Sequence, residues 1–256
     1  MNIKTALIFI LICLTYGLSF AKTTGWEIEG LKPGVKTMKI KMYQMDPDNG
    51  KQVLTSTIVE SFTKEGLLYL HEYSTADGSF KVASSLKCKT DSAGNVIEKK
   101  EFEGGQLLLT VAIQYDKNGK ITVKNSVSAY SEEPPVTERF TYDQSGKLLK
   151  IEKTVAGMGK ETLQYLYDGT GKISAEKWQS ELQAAPEWSV IYMYNSIGQV
   201  FEKQGMIPEL GEWGSEKFMY DTKGNVSKKE TWVLAETDGV GEMVKVSELV
   251  YETVYW

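Results

Sequence analysis

Carboxylates that recur at a steady interval are the first residues of this chain that could carry chemistry. Asp116, Asp143 and Asp168 lie 27 and 25 residues apart, and Asp221 follows 53 residues further on. Two opposed carboxylates about 5 to 9.5 Å apart can hydrolyse a glycosidic bond, and carboxylate oxygens in series can bind calcium. Each of these aspartates, however, begins a phrase that favours a turn. We therefore predict a structural role for them, with no catalytic residue and no metal site.

Other catalytic machinery is sparse. The single histidine, His71, lies in a strand-like stretch, where we predict a structural or solvent-exposed position. Cys88 aligns with core positions of the repeat, so we predict a buried thiol, and Cys13 belongs to the leader, which leaves no internal disulfide. Too few His and Cys side chains are present for zinc or iron. No phosphate loop or dinucleotide fingerprint occurs, so we predict no cofactor and no enzyme.

Tryptophans are the strongest candidates for a binding site. Each of four tryptophans lies 7 to 11 residues from a repeat glycine, which places it towards the less regular edge of the predicted sheet. Such residues could form an aromatic platform for sugar rings or an apolar patch for a partner, or they could plug the open end of the core. The candidate ligand-binding residues are Trp178, Trp188, Trp213, Trp232, Ile207 and Pro208.

The elements that position these residues come from an internal repeat. An acidic or amide residue, two variable positions, Gly, a polar residue and an aliphatic residue recur six times, with glycines 25, 27, 25, 27 and 26 residues apart. So steady a period indicates one supersecondary unit copied along the chain. The copies are Asp91–Val96, Asp116–Ile121, Asp143–Leu148, Asp168–Ile173, Asn195–Val200 and Asp221–Val226.

Each copy predicts a β-hairpin. Tyr precedes the acidic residue in five copies, and another apolar residue lies two positions earlier, so both share one face of a strand. Asp or Asn can bond the backbone two residues on and begin a turn, and Gly closes that turn at positive φ. The return strands mix single apolar residues with Lys and Glu, which is typical of a sheet with one wet face.

Two strands per repeat return the chain to the same edge each time. All six repeat turns should therefore line one edge, while the opposite edge carries connections that share no motif, where a specific site is favoured. We predict an all-β fold of 14 to 16 strands, a long antiparallel meander of repeated hairpins. So many strands should form a strongly curled or partly closed sheet, or a barrel, with its aromatic face inward.

The phrase Tyr-Asp-x-x-Gly-Lys-Ile, best seen at Tyr167–Ile173, resembles the YD-repeat proteins of the Rhs type. The resemblance covers about residues 86 to 226 and implies a secreted or surface-located β-rich module, of a kind that wraps into shells or binds glycans and cell surfaces. Where that family usually has Arg after the Gly, this chain has Lys, Gln or Asn, and its spacer is longer. No toxin domain is evident.

Three segments are predicted. Residues 1–21 resemble a secretory signal, with Lys4, an apolar stretch and a small-x-small cleavage site. Residues 22–85 form a divergent N-terminal β segment, and residues 86–256 hold the repeats and a C-terminal capping strand in which Leu249 and Tyr251 imitate the aromatic-x-Tyr pair. The formal net charge of −5 argues against a nucleic-acid partner.

These observations predict a secreted, non-enzymatic β-repeat protein, periplasmic or at the cell surface, that binds a glycan or an envelope protein. A structural or assembly module of the envelope and a carbohydrate-active enzyme with a carboxylate pair are the alternatives. No further apolar run is long enough for a membrane helix after the leader. A membrane barrel is disfavoured, because its outer face must be an apolar band, whereas the alternating face here is Lys and Glu.

Overall fold

The computed structural model describes residues 31–46, 49–130, 132–181, 187–207, 210–237 and 240–256, with the backbone alone at 187, 188, 236, 237 and 240. The predicted secretory signal, residues 1–21, lies outside the described residues. Within them the chain is all-β, as predicted, and contains sixteen strands and no helix. The strands are β1 Val35–Met45, β2 Gln52–Phe62, β3 Leu68–Thr75, β4 Lys81–Thr90, β5 Val96–Glu103, β6 Gln106–Tyr115, β7 Ile121–Ser128, β8 Val136–Tyr142, β9 Leu148–Val155, β10 Gly159–Tyr167, β11 Ile173–Ser180, β12 Glu187–Tyr194, β13 Val200–Ile207, β14 Glu212–Tyr220, β15 Val226–Thr237 and β16 Val240–Tyr255.

The repeat turns have the predicted geometry, which the turn of Asp168 illustrates. One carboxylate oxygen of Asp168 accepts hydrogen bonds from the backbone N–H groups of Thr170, at 2.8 Å, and Lys172, at 3.0 Å. Gly171 has φ of 88°, a left-handed conformation that glycine adopts without a steric cost. A register shift between Leu166 and Tyr167 marks a β-bulge where the strand enters the turn. The predicted hairpin with a bulged turn is therefore confirmed.

A tyrosine hydroxyl links each repeat to the one before it. Tyr167 donates a hydrogen bond of 2.7 Å to the backbone carbonyl of Leu148, the aliphatic residue that follows the preceding turn. The ammonium group of Lys147 lies 5.1 Å from the centre of the Tyr167 ring, within the range of a cation–π contact. The corresponding hydroxyl–carbonyl pairs are Tyr115–Val96, Tyr142–Ile121, Tyr194–Ile173 and Tyr220–Val200.

The meander separates two kinds of connection onto two rims, as the period predicted. Turns after even-numbered strands form the repeat rim, at residues 63–67, 91–95, 116–120, 143–147, 168–172, 195–199 and 221–225. Connections after odd-numbered strands form the variable rim, whose described residues are 46, 49–51, 76–80, 104–105, 129–130, 132–135, 156–158, 181 and 210–211.

The sheet closes completely, because β1 pairs with β16 in an antiparallel register from Thr37 opposite Val254 to Gln44 opposite Ser247. The prediction of a strongly curled or partly closed sheet was therefore correct for the antiparallel meander, but the observed sheet is more closed than predicted. Strands β1 to β4, from the divergent N-terminal segment, lie in the same barrel as the repeats.

Tyr255 occupies the repeat tyrosine position at the seam between the first and last strands. Its hydroxyl donates to Asp221 at 2.5 Å and accepts from the amide of Asn225 at 2.6 Å. The prediction that Leu249 and Tyr251 fill the aromatic-x-Tyr positions was wrong by four residues. The strand is longer than the regular ones, and Tyr251 instead packs against the apolar core.

Side chains alternate between a well-buried face and a more exposed one. The aromatic face is the side that bears the repeat tyrosines, and on it Tyr165 is buried, whereas its neighbour Leu166 on the opposite face is exposed. This alternation is what a barrel with the aromatic face inside produces. Two apolar clusters lie on this face towards the repeat rim, one around Val35 and Phe62 and one around Ile151 and Tyr165.

Candidate functional site

The predicted tryptophans do not form one platform. Trp178 lies half-buried on the aromatic face, and its backbone pairs with that of Trp188, whose side chain is outside the described part of the structure. Trp213 and Trp232 lie on the opposite face of the sheet, as their pairing with Met206 and Ser215 requires. The sequence predicted that the tryptophans lie towards the variable rim, and Trp178, Trp213 and Trp232 do so. It grouped them into one site, however, although their side chains point to two different faces of the sheet.

The two apolar candidates beside the tryptophans also have different outcomes. Ile207 is buried, and its Cδ1 atom lies close to the backbone of Gly214, so it packs within the sheet and is not available to a ligand. Pro208 lies outside the described residues. The candidate site is therefore reduced to Trp213, Trp232 and their neighbours on the opposite face.

Trp232 is held in place by charged side chains. Its indole N–H donates to a carboxylate oxygen of Glu230 at 3.3 Å, and the ammonium group of Lys217 lies 4.7 Å from the ring centre. Both contacts fix the ring against the sheet, since a cation over an aromatic face is attracted by its quadrupole. Trp232 is therefore a rigid, half-buried support and not a free platform.

Trp213 is the exposed member of the pair, with 53% of its surface accessible. Met206 lies directly opposite it on β13, and the pairing of Gly214 with Val233 brings Leu234 of β15 level with it. Leu234 in turn pairs with Met243 of β16. Four apolar side chains thus form a row across four strands, on the opposite face next to the variable rim.

Exposed apolar residues continue around the variable rim. Four of its connections carry an exposed large apolar side chain in their described residues, and two more have one within two residues in the adjoining strand. Large exposed apolar patches on soluble proteins mark sites of interaction with a partner. The exposed residues are Val53, Phe80, Leu107, Val127, Tyr130, Met158, Leu210, Trp213, Leu234, Met243 and Val244.

The repeat aspartates are occupied by their own turns. The pKa of Asp168 lies below its usual value, chiefly because the Thr170 hydroxyl donates to its carboxylate and then because the Lys172 N–H does the same. Asp91, Asp116 and Asp143 also have lowered pKa values through hydrogen bonds within their turns. Among the described residues, no group of three or more His, Cys, Asp or Glu side chains is arranged to hold a metal ion.

One pair of carboxylates does face each other across neighbouring strands, and sequence reasoning missed it. Glu230 on β15 lies opposite Glu248 on β16, and the ammonium groups of Lys228 and Lys245 bridge both of them at 2.5 to 3.0 Å. Burial raises the pKa of Glu230, but the hydrogen bonds and charges of the two lysines outweigh it and lower the pKa to about 2. The pKa of Glu248 is lowered for the same reasons.

This network cannot act as the acid of a glycosidase. Such an enzyme needs one carboxyl group that stays protonated near neutral pH, which requires a raised pKa. Both glutamates here are held ionised by their lysines. The cluster is a network of ion pairs that connects the last two strands.

The remaining titratable candidates lie on the aromatic face near the N-terminal strands. His71 is half-buried with its Nδ1 atom 3.4 Å from Glu60, so it is structural and not solvent-exposed. Cys88 is a free, half-buried thiol opposite Lys99, and burial raises its pKa.

Comparison with solved structures gives a fold likeness. A porin-like protein from Bacteroides uniformis matches with a TM-score of 0.58 at 11% identity, over 87% of this chain and 98% of that one. At this identity the likeness shows a shared barrel fold alone. No protein-family model and no curated protein matches the sequence.

Two toxin assemblies match more weakly. A TcdB2–TccC3 complex and the Tc holotoxin pore of Photorhabdus luminescens each match with a TM-score of 0.35, at 14% and 12% identity. They match over 81% and 86% of this chain and over 12% and 16% of their own. Scores at this level carry no argument about the fold. In the described part of the chain, no helix has the length and apolar character needed to span a membrane.

Proposed function

We propose that this chain is a secreted, non-enzymatic β-repeat protein of the bacterial envelope that binds another protein through its variable rim. The observation that carries the proposal is the apolar row formed by exposed Trp213, Leu234 and Met243 beside half-buried Met206, continued by exposed apolar side chains around the same rim. Burial of such groups on association is favourable by roughly 25 cal/mol per Å² of apolar surface, before the costs of association are subtracted.

The chemistry of this surface favours a protein over a glycan. Sugar binding needs polar groups beside the aromatic ring to fix the orientation of the ligand. The row offers methionine and leucine instead, and the ionic groups beside it on the same face, Lys228, Glu230 and Lys245, are engaged with one another. Flexible methionines and an exposed tryptophan are typical of protein-binding surfaces.

Both faces of the sheet argue for an aqueous location in the periplasm or at the cell surface. The opposite face carries ion pairs at mid-strand, such as Lys100–Glu98 and Lys150–Glu152. The aromatic face carries Lys229–Glu216 and Lys153–Glu161. A barrel that spans a membrane needs an apolar outer band about 25 Å tall, and these ion pairs interrupt the described strands on both faces. The secretory signal predicted at residues 1–21 supports export.

The same proposal includes kinship with the YD-repeat proteins. What supports it is that the tyrosine and the aspartate each have a repeated structural task, which explains why the two residues occur together. The tyrosine bonds the previous repeat, as Tyr194 does at 2.7 Å, and the aspartate or asparagine closes its own turn.

Affinity capture from the native envelope tests the proposal. The immobilised wild-type protein is expected to retain a discrete envelope protein, and the double variant Trp213→Ser/Leu234→Ser is expected to lose it. Ile191→Ser, at an exposed apolar residue in the middle of β12 and away from both rims, is the matched control and should retain the partner. Equal retention by wild type and double variant would overturn the proposal. Tryptophan quenching by an oligosaccharide panel, abolished by Trp213→Ser, would move the ligand class to glycans.

A further inference from the structure

The two rims of the barrel carry opposite charge. On the repeat rim and the strand ends beside it, the exposed charged side chains are predominantly basic: Lys32, Lys36, Lys64, Lys89, Lys117, Lys172 and Lys223, against Glu65 and Asp168. On the variable rim they are predominantly acidic: Asp77, Glu103, Glu132, Glu133, Glu181, Glu212 and Glu242, against Lys51 and Lys81. Counted over the exposed side chains of the described residues, the repeat rim has a balance of +5 and the variable rim a balance of −5. Including the half-buried charges of the repeat turns lowers the balance of the repeat rim to +3; these are Asp91, Asp116, Lys120, Asp143, Lys147 and Asp221.

These rim charges are available to a partner. In the described residues Lys32, Lys117 and Lys223 form no ion pair, and neither do Glu133 and Glu212. The ion pairs of the barrel lie along the strands, for example between Lys228 and Glu248 at 2.7 Å. Charges left unpaired at the ends of a molecule whose sides are internally paired concentrate its field at those ends.

The repeat rim also carries exposed apolar groups. Ile197, at the tip of the turn 195–199, is 77% exposed. On the opposite face, exposed apolar side chains lie close to this rim at Tyr69, Leu149, Leu166, Phe201, Met219 and Val254. Each end of the barrel thus combines apolar contact surface with charge of one sign.

We propose that the partner of the variable rim is the repeat rim of a second copy of this chain, so that barrels stack head to tail. This inference rests on the proposed function, because it names the protein that the variable rim binds. Two acidic rims repel each other, so a symmetric rim-to-rim dimer is disfavoured, whereas an acidic rim facing a basic one is complementary. Both surfaces are ring-shaped ends of the same barrel, which makes their outlines similar in size.

Head-to-tail contact is heterologous, because each copy uses two different surfaces. A heterologous contact that does not close into a ring continues as an open stack. The stack should therefore lengthen with protein concentration, and because its attraction is partly electrostatic it should shorten with salt. At about 0.5 M NaCl the Debye length falls to roughly 4 Å, which screens charges at exposed rims.

Charge exchange between the rims tests the arrangement. Glu132→Lys/Glu133→Lys/Glu212→Lys changes the balance of exposed charges on the variable rim from −5 to +1, and Lys32→Glu/Lys89→Glu/Lys117→Glu changes that of the repeat rim from +5 to −1. Analytical ultracentrifugation should show concentration-dependent, salt-sensitive oligomers for the wild type and monomers for each triple variant alone. Mixing the two variants in equal amounts should restore oligomers, because each now meets a rim of opposite sign. Lys177→Glu, an exposed charge change on β11 away from both rims, is the control and should assemble like the wild type.

The outcomes separate this inference from the proposed function. A wild-type protein that stays monomeric at all concentrations, or a mixture of the two variants that stays monomeric, would overturn the stacking. A monomeric wild type that still retains a discrete envelope protein in a Trp213-dependent manner would leave the proposed function standing with a different partner. A monomeric wild type that retains no protein would remove both. Far-UV circular dichroism of each variant establishes that the barrel is intact.

Discussion

The hydroxyl of Tyr167 lies 2.7 Å from the backbone carbonyl oxygen of Leu148, nineteen residues earlier in the chain. The same contact recurs from Tyr115 to Tyr220, so neighbouring hairpins are connected near the repeat rim by side-chain hydrogen bonds as well as by strand pairing. The tyrosine of the motif therefore connects neighbouring hairpins, and the aspartate that follows it shapes its own hairpin.

Removal of this hydroxyl should weaken the barrel without altering its fold. Tyr167→Phe keeps the ring under Lys147 and deletes the hydrogen bond, so we expect a loss of about 0.5–1.5 kcal/mol in the free energy of unfolding. Urea unfolding followed by tryptophan fluorescence measures it. Tyr69→Phe, at an exposed tyrosine on β3, should change the midpoint little. A Tyr167→Phe midpoint equal to that of the wild type would show that the bond is not formed in solution.

Substitution of the turn aspartate should separate its acceptor role from its charge. Asp168→Asn keeps an oxygen for the N–H groups of Thr170 and Lys172, as Asn195 does in its own copy, and should melt close to the wild type. Asp168→Ala leaves both N–H groups without their acceptor and should melt at a clearly lower temperature. Differential scanning calorimetry gives the order. Added calcium should leave all three melting temperatures unchanged. A calcium-dependent rise in the melting temperature of the wild type would instead support the hypothesis that the turn aspartates bind calcium.

Gly214 should tolerate no side chain. A Cβ atom there would lie 2.1 Å from the carbonyl oxygen of Trp232 and 2.6 Å from the Cδ1 atom of Ile207, and the backbone oxygen cannot move aside. Gly214→Ala should therefore lower the free energy of unfolding by about 1–3 kcal/mol. The matched control is Gly169→Ala, because Gly169 has no neighbour within 4 Å and no strained φ. Chemical denaturation of the two variants that gave equal losses would contradict the close approach of β14 and β15.

The ion-pair network of Glu230 should make the free energy of unfolding depend on pH in the acid range. Its pKa in the folded protein, about 2, lies below the roughly 4.3 of an unfolded glutamate, so the ionised form stabilises the fold. That contribution is fully present above pH about 4.5 and is lost as the pH falls towards 2. Glu230→Gln should reduce the slope of unfolding free energy against pH in this window, and Glu132→Gln, at an exposed glutamate, should leave it unchanged. A wild-type slope retained in Glu230→Gln would place the acid sensitivity elsewhere.

Local features of the fold could be predicted because the motif encodes them locally. The Asp-x-x-Gly phrase fixes the turn, and its period of 25 to 27 residues fixes two strands per unit, so the two rims follow. Closure could not be predicted in the same way, because the pairing of Thr37 with Val254 joins segments without a motif and more than 200 residues apart. Tyr255 was not recognised as a repeat tyrosine, because the acidic or amide residue and the glycine that follow the tyrosine in the other copies are absent after it.

The tryptophan site shows a signal that was present and not used. Trp178 lies seven residues after Gly171, whereas Trp232 lies eight residues after Gly224. Because strand side chains alternate, that single step places the two rings on opposite faces. Whether the number of residues between a tryptophan and its repeat glycine is odd or even would therefore have assigned each ring to its face. The opposed glutamates at 230 and 248 have no such signal, since β16 carries a bulge and belongs to no repeat.

The pairing of β1 with β16 has a consequence for biogenesis. Until the final strand has been synthesised, the growing sheet has two uncovered borders whose unpaired backbone groups can recruit other chains. A chain cut short by a single strand would keep both borders, and we expect it to aggregate or to require a holding chaperone. Conversely, a rearranged gene that opens the connection at Gly157 and links Tyr255 to Val35 should still produce a closed ring, because the seam joins neighbouring strands like any other pair.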